Sequence, residues 1–551
     1  MMGSNTVSYV VVTGGVISGL GKGTFISSLG ALLRYRGLDV TAVKIDPYLN
    51  VDAGTIAPSE HGEVYVLSDG SEVDLDLGCY ERFLGVELTS AHSITSGKVY
   101  AELHKRERRG DYLGKTVQVV PHATDLVRHM IESTAKKALP TGGVCLVELG
   151  GTVGDIESML YLRAICDMRN NLPRSHFMLV HVSLIPYISH EQKTKPTQHS
   201  VSLLRQAGLF PEMLVCRCES PLYTSTRSKL KQLCQIEHII SLATAKSLYH
   251  VPTMLRSQHV HSIVCASLGG LRPNKCIIEQ DTRSAWWESV GSYVLWTRSQ
   301  NLYTTVAIVG KYVAQQSDAY LSLKRALIHA GHALKIALDI CWIDTDDKDC
   351  LLKCNKANAI IVPGGFGKRG FDTKVKVIHQ ARNRFVPFLG ICFGFQAAVV
   401  EYARYVLGDT SATTEEFGDP TSSFYVVKMP ETCTKQLGGT MRLGLKQTKL
   451  TPRSQARKVY GTSLIAERHR HRYEVNPTQV SALEQAGLQF TGRSLDGRRM
   501  EVLELHKTVH PYFIGTQYHP EYKSSYDHPN PLFIGLLSSG LVHAGGKYKN
   551  Q

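Results

Sequence analysis

No run of about 20 consecutive apolar residues occurs in the 551-residue chain, so no membrane-spanning helix is expected. The opening stretch, MMGSNTVSYVVVTGG, lacks the basic start, apolar middle and small-residue cleavage site of a secretory signal, and a cytoplasmic protein is expected. Internal repeats and low-complexity tracts are also missing. The formal net charge is +14, yet no long Lys/Arg tract carries it. Bases interspersed with acids suit capture of small phosphorylated molecules better than binding of nucleic acid. Cysteine is not scarce, at 13 residues, but zinc-ligand spacing is absent. Cys216 and Cys218, like Cys350 and Cys354, have no second pair to complete a site, so reduced buried thiols are expected. Cys392 stands apart from them.

What is present is a repeated alternation of β-branched runs with helical segments over residues 1–275, with strands expected at 9–13, 40–45, 144–149, 177–183 and 213–217. This alternation predicts an α/β fold with a largely parallel sheet covered on both faces. A single core stops growing near about 250–300 residues, so more than one domain is required. The pattern breaks over 276–302, where three of the four tryptophans fall, and a linker helix is expected there. A second α/β pattern occupies 303–551, opening with TTVAIVGKY.

The first strand runs into GGVISGLGKGT, residues 14–24, followed by an amphipathic helix. A glycine-rich turn between strand and helix lets backbone N–H groups approach phosphates, and the helix N-terminus adds positive potential. Lys22 is placed to reach β/γ-phosphates, and Thr24 offers a hydroxyl on the Mg²⁺ side. The strict pattern is not met, because Val16 stands where the first glycine belongs and Gly23 follows the lysine. Asp76 and Glu148 fall at or near the ends of strand-like runs, where ligands bind in open parallel sheets. Two carboxylates beside phosphates suit Mg²⁺. Lys44, in VKIDPYLN, is a further candidate phosphate contact, and KTKPTQHS, residues 193–200, sets two lysines among hydroxyl and amide donors. Taken singly, each of these is also an ordinary surface feature.

The segment FVPFLGICFGFQAAVVEYAR, residues 385–404, reads as strand, sharp turn and helix. G-x-C-x-G puts Cys392 at a nucleophile elbow, flanked by Gly390 and Gly394. A thiol at a helix N-terminus has its thiolate stabilised. Residues 364–366 of IIVPGGFGKRG offer backbone N–H groups as an oxyanion hole. QYHPEY supplies His519 as a base and Glu521 as the carboxylate that orients it.

Over nearly its whole length the chain resembles the CTP synthases. The resemblance is carried by VTGGVISGLGKG, KIDPYLNVDAGT, HGEV, DLDLGCYERF, KRERRGDYLGKTVQVVPH, VELGGTVGDIES, KTKPTQHSV, VPGGFGKRG, LGICFGFQ, GGTMRLG, ERHRHRYEVN and QYHPEY. It implies an N-terminal P-loop domain with a dethiobiotin-synthetase-like parallel sheet and a C-terminal class I glutamine amidotransferase domain. The implied reaction is ATP-dependent amination of UTP to CTP through a 4-phosphorylated UTP intermediate, with ammonia from glutamine carried along a protected passage. Gly19, Leu20, Gly21, Lys22, Gly23 and Thr24 would bind ATP with Lys44 and Asp76, while Asp76 and Glu148 would hold Mg²⁺. Ser18, Lys193, Thr194, Lys195, Pro196, Thr197, Gln198 and Lys229 would take UTP; Asp155, Ile156 and Glu157 would take CTP as feedback inhibitor. Cys392, His519 and Glu521 would form the triad, and Gly365, Phe393, Gly394, Phe395, Gln396, Glu416 and Arg472 would hold glutamine.

The same resemblance implies GTP as allosteric activator, with GGTMRLG, Lys368 and Arg369 near the responsive region, and a homotetramer able to stack into filaments. Two departures stand out. Phe393 and Phe395 occupy elbow positions where many relatives carry leucine and methionine, and residues 240–249 depart from the pattern at the adenine contact. A different P-loop amidoligase with a fused glutaminase, such as those amidating cobyrinic-acid precursors, would share the glycine turn and the triad. It gives no reason for KTKPTQHSV or GGTVGDIES. A polymerising scaffold without catalysis would need none of Lys22, Asp76, Glu148, Cys392, His519 or Glu521.

Overall fold

The computed structural model describes residues 6–269, 271, 289–293, 303–313, 317–431 and 438–545. The chain divides into two compact units, one built from Met1–Asp52 with Asp76–Leu295 and the other from Ala53–Leu75 with Trp296–Gln551. Among the described residues no helix is long and apolar enough to cross a membrane.

The first unit is organised on seven strands: β1 (Val7–Gly15), β2 (Val40–Asp46), β3 (Ser93–Thr95), β4 (Gly143–Leu149), β5 (Phe177–Leu184), β6 (Met213–Cys218) and β7 (His238–Ala243). They lie in the order β7-β6-β5-β1-β4-β2-β3, and every pairing is parallel. All nine residues of β1, VSYVVVTGG, are buried, as a central strand covered on both faces requires. The five strands expected from the β-branched runs are all present. Register matters here more than outline: Lys44 of β2 pairs with Glu148 of β4, and Thr13 of β1 pairs with His181 of β5. Three helices bear on the site: α1 (Lys22–Tyr35), α2 (Leu75–Leu84) and α3 (Lys195–Gln206).

The second unit is built on a nine-stranded sheet: β8 (Tyr303–Gly310), β9 (Ala337–Asp344), β10 (Ala359–Val362), β11 (Phe388–Ile391), β12 (Arg442–Leu450), β13 (Leu464–His471), β14 (Gln489–Ser494), β15 (Met500–Glu504) and β16 (Phe513–Thr516). Their order is β9-β8-β10-β11-β16-β15-β14-β12-β13. The first five pair in parallel and the remainder antiparallel. Helices α4 (Phe371–Asn383) and α5 (Phe393–Tyr405) pack on one another beside β10 and β11.

The stretch Ala53–Leu75 falls inside the expected first domain of 1–275, but in the structure it packs with the second unit. Its hairpin, Tyr65–Val66 with Glu72–Val73, buries Val64, Tyr65, Val66 and Leu67 there. Tyr65 donates to the Tyr522 carbonyl at 2.9 Å, and Arg468 donates to Tyr65 Oη at 2.8 Å and to the Val66 carbonyl at 3.0 Å. Of the expected linker helix over 276–302, only 289–293 fall among the described residues, and these are helical. Its three tryptophans lie outside them.

Candidate active sites

In the first unit the glycine turn takes the form its composition suggests. Gly19 and Gly21 have φ of 71° and 88°, and Gly21 caps α1. Val16, at the position that departs from the strict pattern, is also left-handed, at φ 87°. A β-branched residue is strained there, and such strain is held at functional turns by its surroundings. Lys22 folds back over the turn and donates to the Gly151 carbonyl at 2.8 Å. Burial pushes the Lys22 ammonium below its usual range, against the opposing pull of Glu148.

Beside the turn, Lys44 makes ion pairs with both Asp76 and Glu148, the latter at 3.1 Å. Tyr80 of α2 donates to the other oxygen of Glu148. Burial raises the Glu148 carboxyl, while Lys44 and then Lys22 oppose it. Asp76 lies against Gly23, where an added Cβ would sit 2.3 Å from Asp76 Oδ1. Two hard oxygen donors thus converge on one ammonium next to the turn expected to take phosphates. That donor set fits Mg²⁺, which binds through one or two carboxylates together with substrate phosphates.

A buried relay ties this turn to α3. Thr13 Oγ1 lies 2.9 Å from His181 Nδ1, and His181 Nε2 lies 2.7 Å from Ser200 Oγ. Thr13 also donates to the Val180 carbonyl at 3.4 Å, which leaves its oxygen to accept from Nδ1–H and makes Nε2 the acceptor for Ser200. Burial, followed by Lys22, lowers the His181 pKa to about 3, so the ring stays neutral. Thr197 donates to the Leu184 carbonyl at 2.8 Å, and Gln198 donates to Thr194 Oγ1 at 2.9 Å, which anchors the start of α3 to the end of β5. Lys195, Lys229 and Ser18 are exposed, as are Asp155, Ile156 and Glu157 at the end of the loop after β4. The relay was not read from the sequence: threonine, histidine and serine far apart in the chain carry no local signal.

In the second unit Cys392 directly follows β11 and caps α5 with φ 53° and ψ −97°, the strained backbone of a nucleophile elbow. Its N–H donates to the Thr516 carbonyl at 2.6 Å. Gly394 is required by close approach, since a Cβ there would lie 2.0 Å from the Val362 oxygen. His519 Nδ1 and Glu521 Oε1 are 2.7 Å apart. Gly364 touches both partners: a Cβ on it would lie 2.8 Å from His519 Cε1 and 3.6 Å from His519 Nε2 and from Cys392 Cβ. Burial by itself lowers the imidazole pKa, but Glu521 and Cys392 outweigh it and the His519 pKa is pushed up to about 10.

Cys392, His519, Glu521, Gly364 and Gly365 line a cavity of about 300 Å³. Arg472 is in its wall, whereas Phe393, Phe395, Gln396 and Glu416 are not. Phe393 and Phe395 are core side chains. Gln396 donates to the Tyr473 carbonyl at 3.0 Å, and Glu416 accepts the Gly367 N–H at 2.6 Å. The wall also contains Thr55, Ile56, Pro58 and Val64. No sequence signal assigned these four to the cysteine site, because they share its cavity only once Ala53–Leu75 is part of the second unit.

The CTP synthase N-terminus family matches residues 8–269, and the class I glutamine amidotransferase family matches residues 316–538. A CTP synthase of Methanoregula boonei is 46% identical over 540 residues, spanning 97% of this chain and 98% of the relative. The chain belongs to the CTP synthase family. The human CTP synthase 1 is 45% identical over 562 residues, spanning 97% of this chain and 93% of the relative. Membership in the CTP synthase family makes the protein a glutamine-hydrolysing carbon–nitrogen ligase.

Proposed function

We propose that the protein aminates UTP to CTP, using ATP to activate the 4-oxo group and ammonia released from glutamine at Cys392. The observation that carries this reading is that one chain of this family holds two built sites, the cysteine elbow with its His519–Glu521 pair and the lysine–carboxylate cluster beside the glycine turn.

In the glutaminase half the Cys392 sulfur attacks the side-chain amide carbon of glutamine, and the thiol proton rests on His519. The 364–366 turn presents N–H groups to the oxygen that gains negative charge. With its pKa pushed up to about 10, His519 is protonated at neutral pH and delivers the proton to departing ammonia. Water then hydrolyses the thioester, releasing glutamate and restoring the thiol. Gly365 and Arg472, both in the cavity wall, hold the substrate, and Gly394, Phe393, Phe395, Gln396 and Glu416 shape the site from behind it.

In the synthetase half, residues 19–24 cradle the ATP phosphates while Lys22 and Lys44 balance charge on the phosphoryl group as it passes to UTP O4. The resulting phosphate is a leaving group that ammonia displaces. Asp76 and Glu148 would hold Mg²⁺, which when bound neutralises phosphate charge. Ser18, Lys229 and residues 193–198 take the uridine nucleotide, with Thr194, Thr197 and Gln198 pinning the start of α3. CTP inhibits through Asp155, Ile156 and Glu157, and GTP activates. The assembly is a homotetramer.

Incubation of the purified chain with UTP, ATP, Mg²⁺, GTP and glutamine should yield CTP, separable by ion-exchange chromatography. Glutamine loss with no CTP would refute the synthetase assignment.

A further inference from the structure

Lys374 lies on α4 three residues after Phe371 and four before Ile378, on the face that helix buries, and it is 0% exposed. Its Nζ has no hydrogen-bond partner among the described residues. An unpaired ammonium in a core is strongly disfavoured, and an apolar side chain at this position would pack instead. Structure alone therefore gives no reason for a lysine here.

What surrounds the ammonium is specific. It sits 4.7 Å from the centre of the Phe393 ring, the residue directly after Cys392. A Cβ on Gly365 would lie 3.6 Å from Lys374 Nζ and 3.6 Å from Lys311 Cε, so the turn expected to accept oxyanion charge is backed by two lysines. The charged and titratable groups acting on Lys374 are Lys311 after β8, Arg369 in the loop before α4, Glu416, and Cys392 of the elbow. Arg369 is itself paired with Asp346 at 2.8 Å, and Glu416 accepts the Gly367 N–H at 2.6 Å, so the two lysines behind Gly365 are the cations that neither carboxylate holds in an ion pair. The positive charge of Lys311 and Lys374 thus lies directly behind the turn expected to take the oxyanion.

Building on the glutaminase reading above, we propose that Lys374 is a positioning residue whose ammonium, seated on the Phe393 ring behind Gly365, supports negative charge at the 364–366 turn. The ring face supplies the attraction that a hydrogen bond would otherwise give. Phe393 thereby gains a purpose beyond packing, since an aliphatic residue there would remove the ring contact and leave only the pull of Cys392 and Glu416. Burial, then Lys311, lowers the Lys374 pKa to about 7, with Cys392 opposing. Its charge is lost as pH rises, so glutamine turnover should show an alkaline decline that precedes the one set by His519.

The test is glutamine hydrolysis by the full chain across about pH 6 to about pH 10, comparing wild type with K374M and F393L. For K374M, kcat falls about 10- to 100-fold while KM for glutamine stays within about threefold, and the lower alkaline limb disappears. In F393L that limb moves to lower pH. A K374M profile with the wild-type limb, or a change confined to KM, overturns the proposal. Should K374M fail to fold by its thermal melt, an unmoved limb in F393L overturns it equally. Glutamine hydrolysis persisting in C392A would instead overturn the glutaminase reading itself, whatever Lys374 does.

Discussion

Lys44 Nζ lies 3.1 Å from Glu148 Oε1 because the two residues are register partners on adjacent parallel strands. The lysine side chain is 6% exposed and the glutamate 2%. The pair is therefore a property of sheet register, and Asp76 joins it from α2 at the end of the sheet beside the glycine turn.

Replacing Lys44 with methionine leaves Glu148 buried without its cation. Breaking a buried pair in this way costs about 3–5 kcal/mol, and part of this is recovered if Glu148 takes up a proton. Urea unfolding should show a clear loss of stability at neutral pH that shrinks on mild acidification. CTP formation should be lost from either nitrogen source.

Cys392→Ala should abolish glutamine-supported synthesis by at least about 10³-fold while synthesis from added ammonium salts continues. Lys22→Ala should stop both. Product assays with each nitrogen source check the pair, and loss of ammonia-supported synthesis in the Cys392 variant would show that the two half-reactions are not separable.

His519 is the group whose pKa is raised, from 6.5 to about 10. Its contribution to stability is thus complete below about pH 6.5 and lost as pH rises towards 10. Glu521→Gln removes the carboxylate that raises it. The upper alkaline limb of glutamine turnover should then move to lower pH, and the alkaline loss of stability should flatten. Both are measured by pH-dependent kinetics and thermal melts.

Gly394→Ala should fail at the elbow, since its Cβ would approach the Val362 oxygen to 2.0 Å. Neither atom is the end of a flexible side chain, so backbone must move. Such overpacking costs about 1–3 kcal/mol or more. Glutamine turnover should drop sharply, with little change in ammonia-supported synthesis.

Much of this was legible in the chain because its signals are local. Five of the seven strands of the first unit's sheet are marked by short apolar runs, and the elbow is a five-residue pattern whose glycines are demanded by contacts within a few residues or with the neighbouring strand. The His519–Glu521 pair was readable for the same reason, as the two residues stand two apart. By contrast, the Thr13–His181–Ser200 relay joins residues 168 and 19 positions apart. Lys374 sits in a helix whose pattern gives a lysine no special mark.

By itself, then, the sequence determined the element order, the two nucleotide- and glutamine-type motifs, and the residue types able to do the chemistry. Tertiary structure decided that Ala53–Leu75 walls the glutaminase cavity, that Lys44 meets Asp76 and Glu148, and that Lys374 is buried without a hydrogen-bond partner behind Gly365. The physical reason is that period and turn chemistry act over a few residues along the chain. Register and burial depend on which distant surfaces exclude water together.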